Sequence, residues 1–174
     1  MKKIFLLIGL IFSFNSFADL GPLVTAKNVD IARYIGKWYT ITSLPQTFTK
    51  SCVGQTAEYG LLNEKQITVQ NICIKENGKM TGIEGVATVT DTINNARLSI
   101  MFNKFWFKLF NIKGEYVIIK LSEGYDSVLV GSTDRKSLWV LSRTPSIDPE
   151  VLADYKKVAK GMGFNIQKLQ DSKY

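Results

Sequence analysis

Histidine is missing from all 174 residues. Without an imidazole there is no side chain that ordinarily changes charge near neutral pH. Ser-His and Cys-His catalytic pairs and the usual zinc sets are therefore excluded. Cysteine is almost as scarce: Cys52 and Cys73 are the only two, and no Cys-x-x-Cys offers a redox pair. Gly-rich phosphate loops are lacking too, because neither Gly161-Met162-Gly163 nor Gly82-Ile83-Glu84-Gly85 has the required form. The carboxylates Glu58, Glu84 and Glu115 fall within strand-like runs at no catalytic spacing and read as solvent-facing. Lys and Arg give a formal charge of +7 but form no basic block, so nothing marks a nucleic-acid site. The residues therefore name no catalytic group, no metal and no cofactor.

The longest apolar run, Ile4 to Phe14, is too short for a comfortable membrane span, and no stop-transfer pattern follows it. Lys2 and Lys3 before it and Ser16-Phe17-Ala18 after it have the form of a cleaved export signal over residues 1–18. The competing reading is a buried N-terminal helix. Cleavage leaves one domain, 19–174, large enough for a real core. Removing Lys2 and Lys3 takes the charge from +7 to +5, a modest excess that suits solubility and weak attraction to anionic membrane surfaces.

What the chain does have is strand-like alternation broken by turn residues. Eight short strands are expected over 36–44, 52–61, 64–75, 80–90, 96–102, 114–121, 125–132 and 137–143. This up-and-down pattern points to an all-β, eight-stranded antiparallel β-barrel. A barrel of that size has room for one small ligand unless its own side chains fill it. If Trp38 faces inward, Thr40 and Thr42 share its side. A hairpin around Leu62-Asn63 sets Cys52 opposite Cys73, or within a residue or two. In a secreted chain that favours a disulfide, worth roughly 3 kcal/mol from loop closure, over two buried thiols. Asp30 is suited to cap a turn of helix before Ile35. One long helix is expected over 148–162, with Asp148 as cap, Pro149 in its first turn and Val151, Leu152, Tyr155, Val158, Ala159 and Met162 on one face. Gly161 and Gly163 end it, and 164–169 return as a short extra strand.

Two stretches carry a resemblance. Gly36-Lys37-Trp38-Tyr39 and Leu138-Trp139-Val140-Leu141-Ser142-Arg143 resemble the first and last barrel strands of the lipocalins, in the bacterial and apolipoprotein D-like branch. The resemblance covers nearly all of the chain after residue 18. It implies that Gly36, Trp38 and Arg143 close the barrel floor, with the guanidinium across the indole face. The family's middle motif, Thr-Asp-Tyr, is replaced by Ser122-Glu123-Gly124-Tyr125. Thr133-Asp134-Arg135 looks similar but falls at the open end and is rejected. Bacterial relatives often carry a lipid-anchoring cysteine after the signal, and no cysteine precedes Cys52 here.

Ligand contacts are expected from inward faces. The phase set by Arg143 turns Leu141 and Trp139 inward, with Tyr116, Ile118, Leu98, Ile100 and Phe102 as further candidates. The loop 102–113 carries five aromatics and three lysines, including Phe105 and Trp106. It reads as a cover for an apolar ligand, as a membrane-dipping segment, or as extended strand ends packed on neighbours. The resemblance implies a periplasmic or secreted carrier of a fatty acid, lysophospholipid or similar lipid, with no enzymatic activity. The partners expected are that ligand and a membrane surface; outer-membrane association is left open, and a monomer is expected. The alternatives are a membrane- or protein-interaction module built on the loop, or one of the few lipocalin-type enzymes.

Overall fold

Eight short runs, each apolar on one face only, can bury all those faces together by curling into a ring. A computed structural model describes residues 21–105 and 113–174, and they form such a ring. The expected export signal, 1–18, and Trp106 lie outside the described residues. The strands are β1 (Gly36–Ser43), β2 (Cys52–Asn63), β3 (Gln66–Lys75), β4 (Met80–Val89), β5 (Arg97–Phe102), β6 (Lys113–Leu121), β7 (Ser127–Gly131) and β8 (Leu138–Ser142). Each pairs antiparallel with the next, and β1 closes the barrel by pairing with both β8 and β2.

At one end, the short helix α1 (Ile31–Tyr34) plugs the ring. Asp30 caps it, its Oδ1 accepting from the backbone N–H of Ala32 at 2.9 Å and of Arg33 at 3.3 Å. The backbone N–H of Val29 donates to Asn94 O at 2.8 Å, tying this plug to the turn between β4 and β5.

The helix α2 (Pro149–Gly161) packs outside the barrel. Asp148 caps it, accepting from Glu150 N at 2.7 Å. At its other end Gly163 has φ +87°, and Phe164 N and Gly163 N donate to the carbonyls of Ala159 and Lys160. Those two bonds are the signature of a Schellman stop, which needs a residue tolerant of the left-handed region. Tyr155, Ala159 and Phe164 then pack on the outward side chains Val117, Ile119, Leu129, Leu138 and Val140.

Three expectations are corrected. The hairpin turns at Glu64-Lys65, because Asn63 opens an Asx-type turn: its Oδ1 accepts from Lys65 N at 3.0 Å and its Nδ2 donates to Gln66 Oε1 at 2.8 Å. The ladder therefore pairs Gln55 with Cys73 and Cys52 with Lys75, so the cysteines sit diagonally, with Cα atoms 5.2 Å apart and joined by a disulfide. Thr42 does not share Trp38's side. A bulge between Thr40 and Thr42 sets Thr42 opposite the outward Val140, and its hydroxyl donates to Gln170 O at 3.1 Å. The returning strand is not 164–169. Phe164 is buried under the helix, a 3₁₀ turn covers Ile166–Lys168, and the strand β9 is Gln170–Asp171.

That short strand has a specific place. β1 pairs with β2 only from Gly36 to Tyr39, and beyond that the two strands diverge. β9 pairs with Thr42 and Ser43, and Lys173 N donates to Val53 O at 2.6 Å, so the tail fills the split.

Candidate functional site

The floor is built on Trp38, which has no exposed surface. Its Nε1 donates to Tyr34 O at 2.9 Å, and the Arg143 guanidinium lies 3.8 Å from its ring. Arg143 also donates to four carbonyls: Nε to Tyr125 O (3.1 Å), Nη1 to Lys37 O (3.0 Å), and Nη2 to Arg33 O (2.9 Å) and Tyr34 O (3.2 Å). The side chain thus binds α1, β1 and the turn before β7 together. Gly36 has φ +97°, and a Cβ there would sit 3.2 Å from Arg143 Nη1, so both backbone and space call for glycine.

The altered middle motif is held by its own hydrogen bonds. Ser122 Oγ accepts from Asp126 N and Ser127 N at 3.1 Å each and also bonds the Asp126 carboxylate. Tyr125 Oη accepts from Asp30 N at 2.8 Å, and the Arg33 guanidinium lies 4.1 Å from its ring. Thr133-Asp134-Arg135 sits at the opposite end, where Gln46 Nε2 donates to Lys136 O at 3.0 Å. Glu115 is exposed and accepts from Thr133 N at 2.7 Å, tying that turn to β6.

Above the tryptophan lie three tyrosines. Tyr34 and Tyr116 share a 2.6 Å hydroxyl–hydroxyl hydrogen bond, and Tyr59 donates to Tyr116 at 3.2 Å. Burial is the main cause that pushes all three phenols up, Tyr59 to about 12 and the other two well above their ordinary value. They stay neutral at any physiological pH.

The inner wall follows from the register. Leu98 pairs with Tyr116 and Val89, Ile100 with Ala87 and Gly114, and Phe102 with Gly85. Ile118 faces Val130, which in turn faces Trp139; Leu141 faces Val128 and Thr40. All seven inward candidates belong to a single interior apolar cluster. Phe105 lies at the rim and is exposed. The floor tyrosines Tyr34 and Tyr59 were not among the expected contacts. Tyr59 had a readable signal, since it alternates with the inward Ala57.

Height along the barrel decides exposure. Inward residues near α1, such as Tyr59, Val69, Val89, Leu98 and Ile118, are buried, whereas Gln55, Asn71, Cys73, Ile83, Phe102 and Trp139 toward the other end are half-buried. A groove of about 440 Å³ opens at that rim beside the disulfide, between Lys50, Ser51, Val53, Lys75 and Asn77.

Known proteins share this plan. The family model for the lipocalin-like domain matches residues 29–173. Outer membrane lipoprotein Blc of Escherichia coli (strain K12) is 32% identical over 147 residues, covering 84% of this chain and 80% of that protein. Apolipoprotein D of Bos taurus is 29% identical over 149 residues, covering 82% and 76%. Insecticyanin from the tobacco hornworm Manduca sexta superposes with a TM-score of 0.68 at 14% identity, covering 88% of this chain and 85% of that one, a likeness of fold. With its barrel, its Gly36-Trp38-Arg143 floor and these matches, the chain belongs to the lipocalins, in the branch of the bacterial and apolipoprotein D-like members.

Proposed function

We propose that the protein binds a small hydrophobic molecule inside the barrel, a fatty acid, lysophospholipid or similar lipid, and carries it within the cell envelope without chemically altering it. The observation that carries this reading is the gradient along the inner wall, which is mostly apolar and fully buried only near α1. Trp139, Leu141, Tyr116, Ile118, Leu98, Ile100 and Phe102 line the path, and Phe105 stands at its mouth. An acyl chain buried there gains about 0.8 kcal/mol per CH₂. Lys50 and Lys75 at the rim suit an anionic head group. Residues 1–18 direct export, and the similarity to outer membrane lipoproteins supports an envelope location for the mature chain. Among the described residues no helix is long and apolar enough to cross a membrane.

Native mass spectrometry of the protein purified from its own envelope, followed by lipid extraction, tests this directly. A co-purifying lipid is the expected result. An empty barrel whose Trp139 fluorescence also ignores added fatty acids would overturn the carrier reading.

A second reading rests on the rim itself. Phe48, Met80 and Phe105 are 70%, 66% and 69% exposed at the mouth end, among Lys50, Lys79, Lys104, Lys113 and Lys136. Apolar tips with lysines around them match an anionic bilayer, each lysine adding about 1 kcal/mol near the surface. Co-sedimentation with phosphatidylglycerol vesicles, weakened by Phe48→Ser, is the expected behaviour; equal binding to neutral vesicles and by the variant would remove this reading.

A further inference from the structure

The three floor tyrosines have one more donor than they use. Tyr59 spends its hydroxyl hydrogen on Tyr116, and the Tyr34–Tyr116 contact spends one more. The third hydrogen, on Tyr34 or on Tyr116 according to which of them donates, meets no acceptor among the described residues. A buried hydroxyl without an acceptor is costly, so such a group is normally matched by water or by a bound molecule.

The position suits a bound molecule. All four rings of the floor are nearly closed off, Trp38 at 0%, Tyr34 at 1%, Tyr59 at 5% and Tyr116 at 8% exposure, and Tyr116 pairs with Leu98 on the inner wall. Their neighbours in the cluster are hydrocarbon: Val69, Val89, Leu98, Ile118 and Val128. The charge is equally telling. Arg143, the cation whose charge reaches Tyr34 and Tyr116, is already committed to the Trp38 ring and to four carbonyls. Among the described residues no lysine or arginine is buried. A carboxylate or phosphate driven to the floor would lose its hydration with no cation to meet it. A neutral oxygen would lose little and gain the spare donor.

We infer that Tyr34, Tyr59 and Tyr116 form a socket at the base of the barrel for a neutral oxygen, a hydroxyl, ketone or ester carbonyl, on the leading end of an otherwise apolar ligand. The inference rests on the carrier reading and adds an orientation to it: the neutral oxygen enters first, and any anionic group stays at the lysine-bearing rim.

The test compares each straight-chain fatty acid from ten to sixteen carbons with its ω-hydroxy counterpart, by Trp139 fluorescence titration of the intact mature protein. The two members of a pair share the carboxylate and the chain and differ only at the far end. At the length that reaches the floor, the ω-hydroxy acid is expected to bind at least as tightly as its parent, although its terminus is more polar. Tyr116→Phe and, separately, Tyr34→Phe should each weaken that ω-hydroxy acid about tenfold more than they weaken the parent acid. If the parent acids bind and every ω-hydroxy acid binds at least tenfold more weakly, the socket is overturned and the carrier reading stands. If wild type binds neither series, both fall. The wild-type comparison needs no substitution, so a poorly folding variant does not blunt it.

Discussion

The two ends of this barrel share one set of strands and differ in almost everything else. The α1 end is covered by a helix and stitched by Arg143 to four carbonyls, and its inward side chains are buried. At the mouth end the inward residues are half-exposed, polar Gln55 and Asn71 join the wall, and a disulfide replaces packing as the crosslink. Close packing fixes geometry at the floor, and looser packing opens the mouth. The contrast teaches that the barrel is held together at one end and opened at the other.

The sharpest way to break that division is to hollow the floor. Trp38→Ala removes a fully buried indole and the surface on which Arg143 rests, and should cost about 3–5 kcal/mol in urea unfolding. A loss under about 1 kcal/mol would mean the floor is not the stabilising end. Reducing the Cys52–Cys73 bond should cost about 3 kcal/mol. Hydrogen exchange should then rise in the mouth halves of β2 and β3 while α1 and β1 keep their protection. Uniform loosening would erase the distinction.

Alkaline pH probes the floor without mutation. Tyr59 titrates at about 12 in the folded chain against an ordinary 10, because burial penalises the phenolate. The unfolded chain therefore loses this proton first. The stabilisation is complete below pH 10 and is lost as pH rises toward 12, by roughly 2–3 kcal/mol for this group. Tyr34 and Tyr116 act in the same direction. Thermal melts from pH 9 to 12 should fall steeply, and Tyr59→Phe should flatten the fall. The smallest effect belongs to the rim: Phe48→Ser should change stability by less than about 0.5 kcal/mol, a silence that heat denaturation can check.

Much of this was legible because barrel strands advertise themselves. Apolar alternation between turn residues located all eight strands to within a few residues, and the phase from Arg143 through Leu141 to Trp139 turned the inner wall the right way. What escaped has physical reasons. The Asn63 side chain draws the turn onto itself and shifts the ladder, an effect of one hydrogen-bonding geometry rather than of hydropathy. The bulge at Thr40/Thr42 carries no local signature, since it answers the divergence of β1 from β2. Tyr34, Tyr59 and Tyr116 meet from three separate elements, and an amphipathic phenol in a strand reads equally well as facing out. At the altered middle motif, Ser122 and Asp126 fix the turn before β7 by hydrogen bonds that hydropathy does not show.

The pairing of β1 with β8 also constrains time. Tyr39 and Ser142 face each other across the ladder though 103 residues, 142 minus 39, separate them along the chain. Contacts that distant form slowly, because most of the loop-closure entropy must be lost before they can form. A growing chain can fold its hairpins one after another, yet β1 keeps one unpaired edge until β8 has been synthesised. Through that interval an open sheet displays the apolar face that later lines the barrel, the state most prone to aggregate. Completing the ring thus creates the ligand chamber and removes the exposed edge in a single late event.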